Sequence, residues 1–223
     1  MQKKWICLGL MSGTSGDGVD ASIISTNGIN QYESIKDKYY EYDTSIYKDI
    51  HNLKDKISKF EHLKKYSKDI NDVERKITIF HAKIIKELKI SDDTIIGFHG
   101  QTIYHNPKEK ISKQLGNGKL LNQLTKKNVV FDFRSNDILN GGQGAPLTPI
   151  FHQLIAIQND IKLPVCFLNI GGISNITIVK SKDDLSRLVS RDIGPGNCLI
   201  DAWVRNNSNE KFDIDGHFAS SGK

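Results

Sequence analysis

The sequence has 223 residues, of which 38% are hydrophobic and 26% charged, and this composition is typical of a globular protein with a substantial core. Its net charge is +5, but the 31 Lys and Arg residues are interleaved with acids, which argues against the clustered basic stripe of nucleic-acid-binding proteins. The sequence shows neither a signal peptide nor an apolar run of transmembrane length, so we expect a cytoplasmic protein without membrane or nucleic-acid partners. We also expect three buried thiols in a reducing compartment, at Cys7, Cys166 and Cys198.

Residues 9–20 predict a β-hairpin with a ligand-binding tip. They lie between two apolar runs, residues 5–8 and 19–24. Glycines permit positive φ at the tip, and hydroxyls beside backbone N–H groups suit an anion or a phosphate. The residues concerned are Gly13, Gly16, Gly18, Ser12, Thr14 and Ser15. By itself this segment fits a plain turn as well as a phosphate loop.

The next segments predict a third antiparallel strand and a helical region. Asn27-Gly28 is a two-residue turn signal, so the strand is expected from residue 29 to about residue 42. Residues 45–90 are rich in Lys, and apolar side chains recur there at three- and four-residue steps, which predicts an amphipathic helix. These apolar positions are Ile70, Val73, Ile77, Phe80, Ile84 and Leu88. His81 lies beside them and is predicted to be a packing or surface residue.

From residue 94 onward, four apolar runs each end in a cluster of polar residues and glycines. The clusters lie at residues 99–102, 132–147, 169–175 and 191–197. Helices are predicted at 119–127, 150–158 and 198–203, so strands and helices alternate and an α/β architecture is expected. Ligands of open α/β sheets gather at the carboxyl ends of strands, and the four clusters therefore predict one shared site. The hairpin at 167–179 also resembles the first hairpin, and the two are expected to grip a polyphosphate from opposite sides.

The spacing of the polar residues excludes several standard sites. The sequence contains neither a complete P-loop nor a dinucleotide-binding glycine fingerprint. It also lacks a hydrolase nucleophile elbow and an H-E-x-x-H metal motif. Phosphoryl transfer needs backbone donors, Mg²⁺ and an activating carboxylate, and the remaining residues supply carboxylates beside polar side chains. They are Asp17, Asp20, Asp132, Asp137 and Asp192 with His99, Gln101, Arg134, Gln143 and Asn197. For Asp137, a helix-terminal or surface role fits equally well.

Six motifs together resemble the anhydro-N-acetylmuramic acid kinase family. They are MSGTSGDGVD at 11–20, HGQT at 99–102, DFR at 132–134, GGQGAPL at 141–147, NIGGI at 169–173 and DIGPGN at 192–197. The family belongs to the sugar kinase/Hsp70/actin superfamily, so the resemblance implies an α/β fold of the ribonuclease-H-like (actin/hexokinase) type with a mixed sheet. It implies a first lobe at residues 1–150, with the phosphate loop and a helical insertion, and an incomplete second lobe at 151–223.

The resemblance implies an enzyme that uses ATP and Mg²⁺ to open 1,6-anhydro-N-acetylmuramic acid with water and to phosphorylate O6. The product is N-acetylmuramic acid 6-phosphate, in peptidoglycan recycling. Asp192 matches the catalytic base, although a helix-capping carboxylate is the structural alternative. The expected ATP contacts are Gly13, Thr14, Ser15, Gly16, Asp17, Gly18, Val19, Asp20, Asn169, Gly171 and Gly172. The expected amino-sugar contacts are His99, Gln101, Thr102, Arg134, Gln143 and Asn197.

The sequence departs from the family pattern at a few positions and in length. Family members usually have Leu at the position of Gly16, an aromatic residue at that of Arg191 and Thr at that of Ile193. Met11 replaces the superfamily's usual Asp, so the metal ligands are left unassigned. The family also continues beyond this length with its adenosine-binding segment. We therefore expect a fragment, or a chain completed by a homodimer partner or a second polypeptide. The alternatives are a catalytically silent sugar- or partner-binding lobe and another kinase or ATPase of the superfamily.

Overall fold

The computed structural model describes residues 3–222. The chain divides into two compact units, Met1–Leu147 and Thr148–Lys223. Each unit has its own sheet, and each is described separately below.

The first unit is built on a mixed six-stranded sheet. Its strands are β1 (Trp5–Ser12), β2 (Gly18–Thr26), β3 (Tyr32–Glu41), β4 (Ile95–Asn106), β5 (Ile111–Leu115) and β6 (Asn128–Phe131). The order is β3-β2-β1-β4-β5, and β6 also pairs with β4. Strands β1 and β6 run parallel to β4, whereas the β1–β2, β2–β3 and β4–β5 pairs are antiparallel. The sheet confirms the predicted α/β fold with mixed strand directions.

Five helices accompany this sheet, and the longest matches the predicted amphipathic segment. They are α1 (Thr44–Lys56), α2 (Phe60–Lys65), α3 (Ser67–Leu88), α4 (Gly118–Thr125) and α5 (Ser135–Leu139). The apolar face of α3 is buried in one cluster with α1 and the central strands. Full burial of an aliphatic side chain such as Ile77 contributes about 1.5–3 kcal/mol, so this shared cluster holds α1 and α3 firmly on the sheet.

His81 is a fully buried packing residue of α3, as one of the two sequence interpretations predicted. Its Nδ1 donates a hydrogen bond to the Ile77 carbonyl oxygen at 2.8 Å, and its ring packs edge-to-face with Phe98 with ring centroids 4.8 Å apart. Burial disfavours the charged imidazolium and lowers the pKa of His81 to about 4. The side chain is therefore neutral at neutral pH.

The second unit contains a three-stranded antiparallel sheet and three helices. The strands are β7 (Val165–Ile170), β8 (Ile173–Val179) and β9 (Val189–Pro195), and the helices are α6 (Pro149–Gln158), α7 (Cys198–Asn207) and α8 (His217–Ser221). Helix α6 packs on one sheet face, where His152 stacks on Phe167 with ring centroids 4.9 Å apart. His152 also forms a 2.8 Å hydrogen bond with the Thr177 hydroxyl.

The opposite face of the second sheet is apolar and open to solvent. The strand register places Cys166, Ile178 and Val189 in one row and Leu168, Ile176 and the charged Arg191 in the next. Leu168 is 56% exposed, and Ile170 on the same face is 58% exposed. Exposed apolar surface of this kind is typical of regions that contact another molecule or segment.

Several local predictions were wrong in instructive ways. The polar residues 99–102 do not follow a strand, because β4 continues through them with a register shift against β1 and with Gly100 at φ +73°. Asp192 lies inside β9 rather than after it. The turn at Asn27 is longer than two residues, since Asn27 Oδ1 accepts hydrogen bonds from three successive N–H groups and β3 begins only at Tyr32.

The cysteine and membrane expectations have different outcomes. Cys166 is exposed and Cys7 and Cys198 are partly exposed, so the prediction of three buried thiols was wrong. Cys166 is exposed because it lies on the uncovered apolar face of the second sheet. Across residues 3–222, the structure contains no helix that is both long and apolar enough to span a membrane.

Candidate functional site

The tip between β1 and β2 is a tight turn whose shape depends on glycine. The Gly16 N–H donates to the Gly13 carbonyl oxygen at 3.1 Å, and Gly16 has φ +70°. At Gly18, an added Cβ would lie 2.5 Å from both the Tyr39 hydroxyl and the Tyr40 carbonyl oxygen. The turn therefore brings the backbone close to its neighbours in a way that side chains at these positions would prevent.

A buried hydrogen-bond network supports this turn from below. The Ser12 hydroxyl lies 2.7 Å from Gln101 Oε1, 2.9 Å from the Gly18 carbonyl oxygen and 2.9 Å from the Tyr42 hydroxyl. Gln101 Nε2 donates to the Gly13 carbonyl oxygen at 2.8 Å. Ser12 and Gln101 meet because they pair in register between the parallel strands β1 and β4. Gln101, predicted to contact sugar, is instead fully buried beneath the turn and holds it in place.

The outer side of the turn presents groups that suit a phosphate. Within residues 3–222, the N–H groups of Thr14 and Ser15 have no protein acceptor. The Ser15 hydroxyl donates to Asp17 Oδ1 at 2.6 Å. Burial and the neighbouring Asp17 charge raise the pKa of the Asp20 carboxyl. Val19 has its side chain in the core, which leaves only its backbone for a ligand.

His99 and Arg134 form a second cluster in the first unit. They come together because β4 and β6 run parallel, and Arg134 follows the end of β6. His99 Nε2 accepts hydrogen bonds from Arg134 Nε at 3.1 Å and Nη2 at 2.8 Å, while Nδ1 donates to the Gly100 carbonyl oxygen at 2.7 Å. Burial and then the Arg134 charge lower the pKa of His99 to about 4. A neutral His99 thus orients the guanidinium.

Arg134 and Asp137 together hold the glycine-rich loop at 141–144. Arg134 Nη1 donates to the Gly144 carbonyl oxygen at 2.5 Å, and Asp137 Oδ2 accepts from the Gly144 N–H at 2.7 Å. The Gly142 N–H donates to the Asp137 carbonyl oxygen at 2.8 Å, and a Cβ on Gly142 would lie 2.2 Å from the Asp137 carboxylate. Asp137 therefore anchors the loop from the first turn of α5, which agrees with the helix-terminal position considered from sequence and adds a loop contact that the sequence did not predict.

Two residues predicted to contact the sugar lie around this cluster without joining it. Gln143, within the anchored loop, is exposed to solvent. Thr102 is partly buried in β4, and its hydroxyl accepts a 3.3 Å hydrogen bond from Gln114 Nε2. The glycine-rich loop at 141–144 sets the position of Gln143, and the pairing of β4 with β5 sets that of Thr102.

In the second unit, the Gly171-Gly172 turn and the start of α7 form one corner. Three successive N–H groups, from Gly196, Asn197 and Cys198, donate to the carbonyl oxygens of the two turn glycines at 2.7–3.3 Å. A Cβ on Gly196 would lie 2.1 Å from the Gly171 carbonyl oxygen. Asn197 Nδ2 also approaches the Ile170 carbonyl oxygen at 3.4 Å.

Asp192 lies in a polar row across the second sheet. It pairs in register with Asn175, which in turn pairs with Asn169 on β7. The Asp192 carboxylate is exposed. It does not cap a helix, because the cap residue of α7 is Asn197. The structure therefore groups Asn169, Gly171, Gly172, Asp192 and Asn197 in one unit, and the first hairpin with His99, Gln101 and Arg134 in the other.

Sequence reasoning missed two residues at the first hairpin, Tyr42 and Lys54. The Tyr42 hydroxyl joins the Ser12 network, and Lys54 Nζ donates to the Thr14 carbonyl oxygen. Neither residue lies in a recognisable motif. The only sequence signal was their position, at the end of the third strand and in the amphipathic helix that follows.

The described residues contain no dense cluster of metal ligands, and they contain a cavity that lies away from the predicted site residues. Among residues 3–222, no cluster of three or more His, Cys, Asp or Glu residues is suited to hold a metal ion. A cavity of about 520 Å³ lies between α3 and α4, lined by apolar residues, by Thr125 and by the lysines Lys83, Lys86, Lys89 and Lys127. None of the predicted site residues lines it, so the cavity adds nothing to the phosphate or sugar expectations.

The fold and the hairpin define a class of protein first. An α/β unit with a mixed sheet and a glycine- and hydroxyl-rich hairpin is consistent with a lobe of a sugar kinase. A family model described as anhydro-N-acetylmuramic acid kinase matches residues 5–223. The chain therefore belongs to the anhydro-N-acetylmuramic acid kinase family, whose name identifies carbohydrate kinases.

Individual relatives agree with the family match. The chain is 58% identical over 226 residues to the anhydro-N-acetylmuramic acid kinase of Pelagibacter ubique, covering 100% of this chain and 60% of that protein. The enzymes of the same name from Agrobacterium fabrum and Bradyrhizobium diazoefficiens are 36% and 35% identical, and each match covers 96% of the chain and 59% of the relative. The chain thus spans about three fifths of the length of the curated relatives it matches.

Proposed function

We propose that this chain supplies the phosphate loop and the catalytic base of an ATP-dependent kinase. The kinase opens 1,6-anhydro-N-acetylmuramic acid with water and phosphorylates O6, giving N-acetylmuramic acid 6-phosphate and ADP in peptidoglycan recycling. The observation that carries the proposal is the first hairpin, whose tip presents Thr14 and Ser15 N–H groups on a rigid buried support in a chain of this family. The enzyme is proposed to act in the cytoplasm, where this sugar would be recycled.

The residues of the first hairpin fit the phosphates of ATP. The tip offers backbone donors, the Thr14 hydroxyl and a glycine-lined backbone that a phosphate can approach closely. The Gly171-Gly172 turn would supply the second phosphate contact. Mg²⁺ commonly binds through one or two carboxylates plus phosphate oxygens and water, which Asp17 and Asp20 can satisfy without a larger protein cluster. When bound, Mg²⁺ neutralises the charge on the transferred phosphoryl group.

Asp192 is proposed to be the general base. Its exposed carboxylate would take a proton from the water that attacks the anomeric carbon. The bond from the anomeric carbon to the bridging oxygen then breaks, and the released O6 attacks the γ-phosphate. This chemistry couples carboxylate-activated hydrolysis of a glycosidic bond to phosphoryl transfer. Asn175 and Asn169, beside Asp192 in the sheet, would orient the carboxylate and the water without adding charge.

The sugar is proposed to bind near the glycine-rich loop at 141–144. Arg134, held by neutral His99, provides a fixed positive charge for an amino sugar that carries a carboxylate. Gln143, Thr102 and Asn197 complete the proposed sugar contacts. Gln101 is proposed to act on the nucleotide side instead, through the phosphate turn that it supports.

A second candidate is a catalytically silent lobe that binds sugar or a partner. It is favoured by the uncovered apolar face of the second sheet, because an incompletely covered unit is poorly preorganised for catalysis. The kinase proposal accordingly requires a counterpart of the remaining two fifths of the relatives' length. This counterpart would be part of the same polypeptide, a second chain or the partner subunit of a homodimer.

The experiment tests the chain alone and the chain supplemented with the part of the Pelagibacter ubique relative that it does not match. Each sample is incubated with ATP, Mg²⁺ and 1,6-anhydro-N-acetylmuramic acid, and ADP and phosphorylated sugar are quantified. The proposal predicts product in the supplemented sample and its loss on Asp192→Asn, with Asp183→Asn as the exposed-carboxylate control. Sugar binding without product in either sample would instead support the silent lobe.

A further inference from the structure

Lys54 reaches the tip of the first hairpin from a separate element. It lies in the last turn of α1, and its Nζ donates to the Thr14 carbonyl oxygen. A Cβ built on Gly16 would lie 3.3 Å from Lys54 Nζ and 3.0 Å from Ile50 Cγ2. The ammonium group therefore occupies space over Gly16 that the missing side chain leaves open.

The fold fixes α1 beside the hairpin at its start and along its buried face. At its start, the Tyr42 N–H donates to the Asp17 carbonyl oxygen at 2.8 Å, and the next residue, Asp43, caps the helix by accepting from the Ile46 N–H at 2.9 Å. Along its length, Ile50 and Leu53 are buried in the core. Packing of α1 therefore fixes the position from which the Lys54 side chain reaches the tip.

A lysine in this place matches the chemistry of the tip. An ammonium group is a compact positive charge that carries N–H donors and no acceptor. The Thr14 and Ser15 N–H groups lie on the same turn as the carbonyl oxygen that Lys54 contacts. An anion bound by these N–H groups would lie beside a positive charge, and charge-assisted hydrogen bonds to phosphate are among the stronger ones in proteins.

We propose that Lys54 is a phosphate-contacting residue of the nucleotide site and that Gly16 keeps the space its ammonium group needs. When phosphate is bound, Nζ donates to a phosphate oxygen in addition to, or in place of, the Thr14 carbonyl oxygen. The inference rests on the proposed function, since it takes the first hairpin to be the phosphate site. It adds a cation from α1 that the motif at residues 11–20 does not contain.

The test is a titration of the 223-residue chain with inorganic triphosphate and Mg²⁺, followed through the backbone amide NMR signals of Thr14, Ser15 and Gly16. Triphosphate is the probe because it needs no adenosine contacts. The inference predicts that Lys54→Gln weakens binding roughly 10- to 100-fold, since a hydrogen bond to a charged group is worth about 1.5–3 kcal/mol. Lys54→Arg is expected to retain most of the affinity. Lys48→Gln, an exposed lysine of the same helix, is expected to change nothing.

Further readouts separate phosphate contact from simple bracing of the turn. The salt dependence of binding is expected to be shallower in Lys54→Gln, because one charge fewer meets the anion. If Lys54→Gln bound triphosphate as tightly as the unaltered chain, the inference would be overturned while the phosphate site stood. Lys54→Gln could instead bind weakly because the turn itself is disturbed. A lower unfolding temperature, tip signals that are shifted before titration and no recovery of binding in Lys54→Arg would together show that Lys54 only supports the turn, which would overturn the inference. If the unaltered chain showed no tip shifts, the proposed phosphate site itself would fail.

Discussion

At the scale of single residues, the polar side chains of the first hairpin divide into those that hold the turn and those that face outward. Ser12, Gln101 and Tyr42 are buried and bonded to one another or to the turn backbone. Thr14 and Ser15 are exposed at the tip. Buried polar groups must be hydrogen-bonded to avoid a desolvation cost, so the inner set fixes the geometry that the outer set presents.

The sequence predicted the importance of these residues better than their roles. Motif spacing identified Gln101, His99 and Asp137 as polar residues near a site, but a motif does not show which atoms are already used inside the protein. The parallel pairing of β1 with β4 directs Gln101 beneath the turn, and the loop at 141–144 occupies Asp137. Such assignments depend on long-range register, which a single sequence does not specify.

His81 makes the stability of the first unit depend on pH. Its pKa is about 4 in the folded chain and near 6.5 when unfolded, so between these values the unfolded chain binds a proton that the folded chain does not. The free energy of unfolding therefore decreases as the pH falls, and His81 accounts for a loss of about 2 kcal/mol between pH 7 and pH 5. Urea denaturation at the two pH values measures this difference.

The variant His81→Leu is expected to lose about 2 kcal/mol less than the unaltered chain between pH 7 and pH 5. His99, whose pKa is also about 4, continues to contribute in the same direction in both proteins. An identical pH dependence in His81→Leu and the unaltered chain would show that His81 is not held neutral by burial.

At the scale of elements, helix periodicity was predicted well and strand ends poorly. The apolar positions of α3 recur because one face packs on the sheet, and this pattern is local and readable. The ends of β4 and β9 were misplaced because both strands continue through polar and glycine residues that the apolar-run criterion treats as loops. In both cases a register shift or a positive-φ glycine lets the strand accommodate them.

The corner between the Gly171-Gly172 turn and α7 offers a matched pair of glycine variants. Gly196→Ala is expected to be destabilising by more than 1 kcal/mol, because its Cβ would overlap the Gly171 carbonyl oxygen at 2.1 Å and force the backbone apart. Gly171→Ala is expected to be tolerated, since the nearest atoms to its Cβ lie at 3.8 Å. Thermal unfolding and hydrogen exchange of the Asn197 amide measure the effect. Equal destabilisation by both variants would contradict the close approach at Gly196.

At the scale of the whole molecule, the chain combines a well-covered first sheet with a second sheet that is covered on one face. The central residues of the first sheet are almost completely buried, whereas apolar residues of the second remain half exposed. The chain also spans about three fifths of its relatives' length. The exposed apolar face of the second sheet offers a surface on which the part of the relatives that this chain does not match would pack.

Leu168, which lies on the edge strand β7 of that face, tests this packing. In the 223-residue chain, Leu168→Ser is expected to change the free energy of unfolding by less than about 0.5 kcal/mol, because the side chain is already half exposed. In a chain extended with the part of the Pelagibacter ubique relative that it does not match, the same change is expected to cost about 2 kcal/mol or more through lost burial. Val130→Ser, exposed in the first unit, is the control and should behave alike in both chains. Equal effects of Leu168→Ser in the two chains would show that the face stays uncovered.

The central claim is that a water molecule activated by Asp192 opens the anhydro ring while O6 takes the phosphoryl group. The most direct measurement is turnover of the extended chain in ¹⁸O-labelled water, with mass spectrometry of the product sugar and phosphate. The account predicts one ¹⁸O atom on the anomeric carbon of the product sugar and none in its phosphate ester. It also predicts that Asp192→Asn forms neither the phosphorylated sugar nor ADP. Label released as inorganic phosphate, or a phosphorylated sugar that retains its anhydro bridge, would contradict it.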